Sequence, residues 1–118
     1  MRFAALSLPA LVALAFAVSA HADCAFPAAP ASVPDGKTAS EAEMVTAMKA
    51  FKDYDGQVNA YVTCLDQETK TKSEGAAASQ IMQIKSMQSK KQNAAVDELQ
   101  AKAAKFNEQV RVFKSRNG

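Results

Sequence analysis

Two stretches of this chain carry apolar residues at alternating steps of three and four, and Gly75 sits between them. In the distal stretch the seam is Val96, Leu99, Ala103, Phe106, Val110 and Phe113, which makes one side of an α-helix apolar along its length. In the proximal stretch Met44, Met48, Phe51, Val58, Val62 and Leu65 form the same stripe, with Asp55 interrupting it. Thr38 and Ser40 are each followed three residues later by Glu41 or Glu43, the capping-box spacing at a helix start. Lys70 and Lys72 suit a helix C-terminus, and Gly75 can take the left-handed cap. The spacing predicts helices over about 40–70 and about 76–114, with the break between Lys70 and Ser79. From Ile81 and Ile84 through Met87 to the polar Gln88–Gln92 stretch the second stripe is poorly kept, so its register is set by the distal half.

Thr38 lies 75 − 38 = 37 residues before Gly75 and Phe113 lies 113 − 75 = 38 residues after it. Two antiparallel helices hinged there match in length. The predicted fold is therefore all-α, a two-helix hairpin with a coiled-coil seam. Pairing about Gly75 sets Leu65 near Ile84, Phe51 near Val96 and Leu99, and Met44 near Ala103 and Phe106, with Phe106 against Met44 and Met48. It also brings Asp55 close to Lys91 or Asn93, for a salt bridge or else for simple exposure.

Ahead of the hairpin, Arg2 precedes an Ala- and Leu-rich run from Phe3 to Ala20, and Ala20-His21-Ala22 precedes Asp23. That order is a charged n-region, an apolar h-region and a small-x-small cleavage site, so residues 1–22 read as a secretory signal peptide. The run is broken by Pro9 and barely reaches membrane-spanning length, so no integral membrane segment is expected after cleavage. A lipid-attachment site is not expected either, because His21, Ala22 and Asp23 precede Cys24. The mature chain has 118 − 22 = 96 residues and lacks the only histidine, His21. It then has no imidazole to act as general base, nucleophile activator or metal ligand.

Cys24 and Cys64 are the only cysteines, and an exported chain meets an oxidising compartment. They are expected to pair; a redox-active role lacks the Cys-x-x-Cys spacing. Pro27, Pro30 and Pro34 disfavour helix in residues 23–39 and favour an extended arm, closed by a turn at Pro34-Asp35-Gly36. The helix from Thr38 to Cys64 covers about 39 Å, and the 14 residues from Cys24 to Thr38 span about 43 Å in polyproline form. The arm can thus run back along the first helix and deliver Cys24 to Cys64. Its expected track is Ala47, Ala50, Tyr54, Gln57, Tyr61 and Cys64, with Phe26 and prolines against the tyrosine rings.

Residues 23–78 carry nine acids and five bases, net −4, and residues 79–118 carry eight bases and three acids, net +5. The halves attract, which favours the hairpin and weakens a nucleic-acid reading. Lys85, Lys90, Lys91, Lys102 and Lys105 are a possible surface for an anionic partner, against the alternative of a solvated charged face. No aromatic residues interleave the central lysines, so there is no platform for stacked bases.

An early cysteine (Cys24), the Pro34-Asp35-Gly36 turn and Tyr61-Val-Thr-Cys64-Leu65 together resemble small secreted bacterial proteins of unknown function. The distal segments Asn93-Ala-Ala-Val-Asp97 and Phe106-Asn107-Glu-Gln-Val-Arg111 resemble the same group. The resemblance covers nearly the whole mature chain and implies a helical, disulfide-closed periplasmic protein, with no activity attached.

No catalytic signature stands out. Met44 and Met48, with Met82 and Met87, have the soft donors that Cu(I) takes, but the hairpin separates the pairs and methionine commonly fills cores. Asp53 and Asp55, like Asp66 and Glu68, are two apart on a helix and face different ways. A hydrolase also needs a cleft, which a hairpin of this size does not obviously offer. The expectation is a non-enzymatic periplasmic or secreted protein without cofactor, acting through a protein partner or as a homodimer. A basic binding module for an anionic cell-envelope component is the alternative.

Overall fold

A computed structural model describes residues 23–116 and contains two helices, α1 (Glu41–Ser73) and α2 (Ala78–Arg116), with no strand among the described residues. The leader read at residues 1–22 lies outside the described residues. Of the two capping signals at the start of α1, the one at Ser40 is used. Its hydroxyl accepts from the Glu43 amide at 3.1 Å, and its own amide donates to the Glu43 carboxylate at 2.6 Å. Two backbone donors that the helix cannot satisfy are thereby paired.

Lys70 and Lys72 stand in the last turn of α1, and Gly75 has φ 71° in the connection of residues 74–77. Left-handed backbone costs a side-chain-bearing residue, so glycine suits this corner. α1 continues three residues past the expected end (73 − 70 = 3) and α2 starts two later than expected (78 − 76 = 2).

The two helices pack as an antiparallel hairpin in a register one heptad away from pairing about Gly75. Phe51 does not face Leu99. It stacks on Phe106, seven positions further (106 − 99 = 7), with ring centroids 4.8 Å apart and planes 11° from parallel. A seam with apolar steps of three and four looks the same after a seven-residue slide, so periodicity cannot separate the two registers. Residues 78–80 are exposed at the turn, and α2 first turns a half-buried apolar side chain inward at Ile81 and Ile84. The same shift brings Lys91 to Glu68, at 4.0 Å, rather than to Asp55, which is exposed. Among the described residues this is the one ion contact between the helices, supplemented by a hydrogen bond from Gln88 to Asp66. Apolar packing, rather than attraction between oppositely charged halves, holds the hairpin.

Burial is unequal between the helices. α1 buries Met44, Phe51, Tyr54, Val58, Tyr61 and Leu65, whereas α2 buries Ala95 and Phe106 fully and leaves Val96, Leu99, Val110 and Phe113 half-covered against the core. The cause is the arm. Cys24 is bonded to Cys64 with Cα atoms 5.8 Å apart, so residues 24–35 lie along α1 and cover a second row of its side chains. Phe26 meets the Tyr61 ring edge-on at 5.5 Å. Ser32 and Pro34 share a shallow depression with Ala42, Ala47 and Ala50. Tyr54 and Tyr61 on the expected track are buried, while Gln57 stays exposed.

The far end of the arm docks on α2. Asp35 closes the turn through its carbonyl, which accepts from Thr38 at 3.1 Å and Ala39 at 2.8 Å, and through its carboxylate, which accepts from the Lys37 amide at 2.9 Å. The Gly36 amide donates to Gln109 Oε1 at 2.8 Å. A Cβ on Gly36 would stand 2.2 Å from the Gln109 carbonyl oxygen and 2.9 Å from the Phe113 nitrogen. Both are backbone atoms of a helix and cannot swing away. Gly36→Ala is therefore expected to destabilise the fold by about 1–3 kcal/mol, the cost of overpacking a filled contact. Chemical denaturation measures it, and an unchanged midpoint would show that the turn is free to lift off α2. Arg116 finishes the junction, donating to the carbonyls of Lys37 at 2.8 Å and Ala39 at 2.5 Å while its guanidinium lies 4.5 Å from the Phe113 ring centroid.

Candidate functional site

Side chains seven apart lie in rows along a helix, and the rows flanking the seam of α1 have different fates. Ala47, Tyr54 and Tyr61 form the row under the arm. Met48, Asp55 and Val62 form the row on the other side, where Met48 is 43% exposed, Asp55 is exposed and Val62 is half-buried. α2 has the same division. Its Ala95, Lys102 and Gln109 row runs on the arm side, as the Gly36–Gln109 bond requires. The Val96, Ala103 and Val110 row lies on the side away from the arm and is half-buried throughout. One broad face of the hairpin is closed by the arm. The other presents Val45, Met48, Val62, Val96, Ala103 and Val110 with only part of their surface covered.

The five lysines read as a possible anionic-partner surface are not gathered into one patch. At 3.6 residues per turn, Lys85 stands about 100–160° round the helix from each of the other four. Lys91, Lys102 and Lys105 share the arm-side flank of α2. There Lys91 approaches Glu68, and Lys105 lines a cleft of about 630 Å³ with Asp35, Lys37 and Glu108. Lys85 and Lys90 are exposed and outside that flank. Acidic neighbours accompany two of the three clustered lysines, which lowers the potential an anion would meet.

Beside the disulfide is a cavity of about 460 Å³ lined by Asp23, Cys24, Cys64, Gln67, Glu68, Thr71 and Lys72. Glu68 Oε1 takes a hydrogen bond from Lys72 Nζ. That bond holds the Glu68 carboxyl below its ordinary value against the opposing effect of burial, with the charges of Lys72 and Lys91 adding to it. Glu68 Oε2 is buried and has no hydrogen-bond partner. Neither this cavity nor any other set of three His, Cys, Asp or Glu side chains among the described residues has the arrangement of a metal site. Met44 is buried in the core, whereas Met82 and Met87 are exposed near the turn, so the methionine pairs are far apart in the fold.

Tyr54 is 1% exposed, and its hydroxyl also lacks a partner. Burial raises its pKa above the ordinary 10.0, and the Glu98 carboxylate adds to the effect. A folded-state pKa above the unfolded one means that the stability linked to this group is present below pH 10 and is lost as pH rises through the folded value. Tyr54→Phe removes an unpaired buried hydroxyl and keeps the ring, so it is expected to be neutral or to stabilise by up to about 1 kcal/mol. The variant is also expected to lose less stability than wild type between pH 10 and 11. Thermal melts across that range check both, and a loss above 1 kcal/mol at neutral pH would show that the hydroxyl has a partner.

Nothing in the sequence marks Gly36, Gln109 and Arg116 as junction residues. The Pro34-Asp35-Gly36 turn is legible, but nothing in it names the helix on which it rests.

No protein family, curated protein or solved structure matches the chain.

Proposed function

We propose that this is a non-enzymatic helical protein of the periplasm or secreted space that works through protein contact, using the hairpin face turned away from the arm. The observation that carries the reading is the unequal cover of the two faces. A chain that spends its N-terminal segment closing one broad side of a two-helix hairpin leaves the Met48, Val62, Val96, Ala103 and Val110 side for a partner. Export is supported by the leader pattern at residues 1–22 and by the Cys24–Cys64 disulfide. No described helix is long and apolar enough to cross a membrane.

The partner that fits this face best is a second copy. α1 carries six acids and four bases and α2 carries eight bases and three acids, yet one ion contact joins them within the chain. A two-fold axis parallel to the helices lays each α1 on the α2 of the other copy. The apolar rows then close into a four-helix bundle with acidic edges along basic ones.

Sedimentation of the exported protein tests this at low salt and at about 0.5 M salt, which screens exposed charges. A dimer that persists at high salt and dissociates on Met48→Asp or Val110→Asp is the expected result. A monomer that is retained on anionic envelope polymer at low salt and released at high salt would favour the basic-module reading instead, with Lys91, Lys102 and Lys105 as its centre.

A further inference from the structure

Glu68 presents one carboxylate oxygen that is fully engaged and one that is not. Oε1 takes Lys72 and lies 4.0 Å from Lys91 Nζ, while Oε2 is buried without a donor. A buried acceptor left unpaired is costly, and most such atoms in folded proteins have a partner. The same carboxylate lines the cavity beside the disulfide, and so does Asp23. The Cys24–Cys64 bond ties the adjoining residue to α1, which keeps Asp23 among the residues that line this cavity.

In a chain continuous from Ala22 to Asp23 the Asp23 backbone nitrogen is an amide with one N–H. Hydrolysis of the Ala22–Asp23 bond changes it. Water adds across the bond, Ala22 departs with the new carboxylate, and Asp23 keeps an amine that takes up a proton near neutral pH. The group becomes a cation with three donors. The charges around it are the Glu68 and Asp23 carboxylates and the Lys72 and Lys91 ammoniums, two of each sign, so no excess of positive charge opposes it.

We propose that cleavage after Ala22 turns the Asp23 nitrogen into the missing donor to Glu68 Oε2, making the cavity a binding site for the chain's own new N-terminus. Processing thereby completes the latch that holds the arm on α1. The site rests on the leader reading of residues 1–22 and explains why a carboxylate oxygen is buried there with nothing to accept from.

The test uses the exported protein. Intact mass identifies the first residue, and the rate of α-amine acylation near neutral pH reports how firmly the ammonium is held. The expected result is a chain beginning at Asp23 whose amine acylates about fivefold more slowly in wild type than in Glu68→Gln, because a carboxylate partner favours the unreactive protonated form. Acetylation of the wild-type α-amine, which needs no substitution, is expected to speed hydrogen exchange at Ala25 and Phe26. A chain that begins at Asp23 with equal acylation rates in both proteins would overturn the site alone. A chain that begins elsewhere would overturn the processing reading and the site together.

Discussion

Truncating Phe106 to Ala is expected to destabilise the protein by about 3–5 kcal/mol, the range for removing a core aromatic ring. Phe106 is 6% exposed and is the one large side chain of α2 that is fully buried. Its ring stacks on Phe51, itself 8% exposed, so the truncation removes the main anchor between the helices. A small domain has total stability of about 5–15 kcal/mol, and such a loss can unfold it. Lys90→Ala on the exposed side of the same helix is expected to change stability by no more than about 0.5 kcal/mol. Denaturant melts with the disulfide intact compare the two, and equal small shifts would place Phe106 at the surface. The register has its own test in a double-mutant cycle. Phe51→Ala and Phe106→Ala are expected to couple by about 0.5–1.5 kcal/mol, as stacked rings do. Coupling of Phe51 to Leu99 instead would restore the pairing about Gly75.

Helix number, helix type, the capping box at Ser40, the extended arm and the disulfide are all legible in the residues, because each depends on local chemistry or on chain length. The arm's track is legible for the same reason. Its reach in extended form matches the helix rise from Thr38 to Cys64, and Tyr54 and Tyr61 fall one helical row from the seam. Register is a different kind of quantity. Phe51 opposite Leu99 and Phe51 opposite Phe106 satisfy the same seven-residue pattern, and the choice is made by which rings stack and by where the chain leaves the turn. The charge division between the halves misleads for a related reason. Net charge says that the halves attract, but only Lys91 and Glu68 come within reach across the seam, since most charged residues sit on the outer sides of both helices.

The candidate partner face was legible only in outline. The stripe of α1 is wider than a two-helix seam requires, and a single residue of the sequence says which flanking row the arm takes. Cys64 decides it. Tyr61, three residues before Cys64, lies beneath the arm with Phe26 on its ring, and Val62, one residue on, turns about 100° away. The position of one cysteine therefore assigns Tyr54 and Tyr61 to the covered side and leaves Met48 and Val62 open.

Removing that tie is the second large perturbation. Replacing both Cys24 and Cys64 by Ser is expected to lower stability by about 4 kcal/mol, the chain-entropy value for a loop of this size, since the bond spans 40 residues. Most of the effect arises in the unfolded chain, which regains the freedom that the bond denies it. Within the folded protein the two ends of the arm are expected to respond differently. Residues 24–29 have no other covalent or charged tie to α1 among the described residues, so their hydrogen exchange is expected to quicken as Tyr61 loses its Phe26 contact. Gly36, Lys37 and Ala39 remain held by Gln109 and Arg116, so the turn is expected to keep its protection. Denaturant melts of the oxidised protein and the Ser variant, read together with residue-resolved exchange, decide the matter. A stability loss under 1 kcal/mol with the first half of the arm still protected would mean that burial of Pro27, Ala29 and Val33, together with the amine at Asp23, holds the arm without the disulfide. Loss of protection at Gly36 as well would mean that the arm leaves as one piece, and that the α2 junction is too weak to stand without the bond at Cys64.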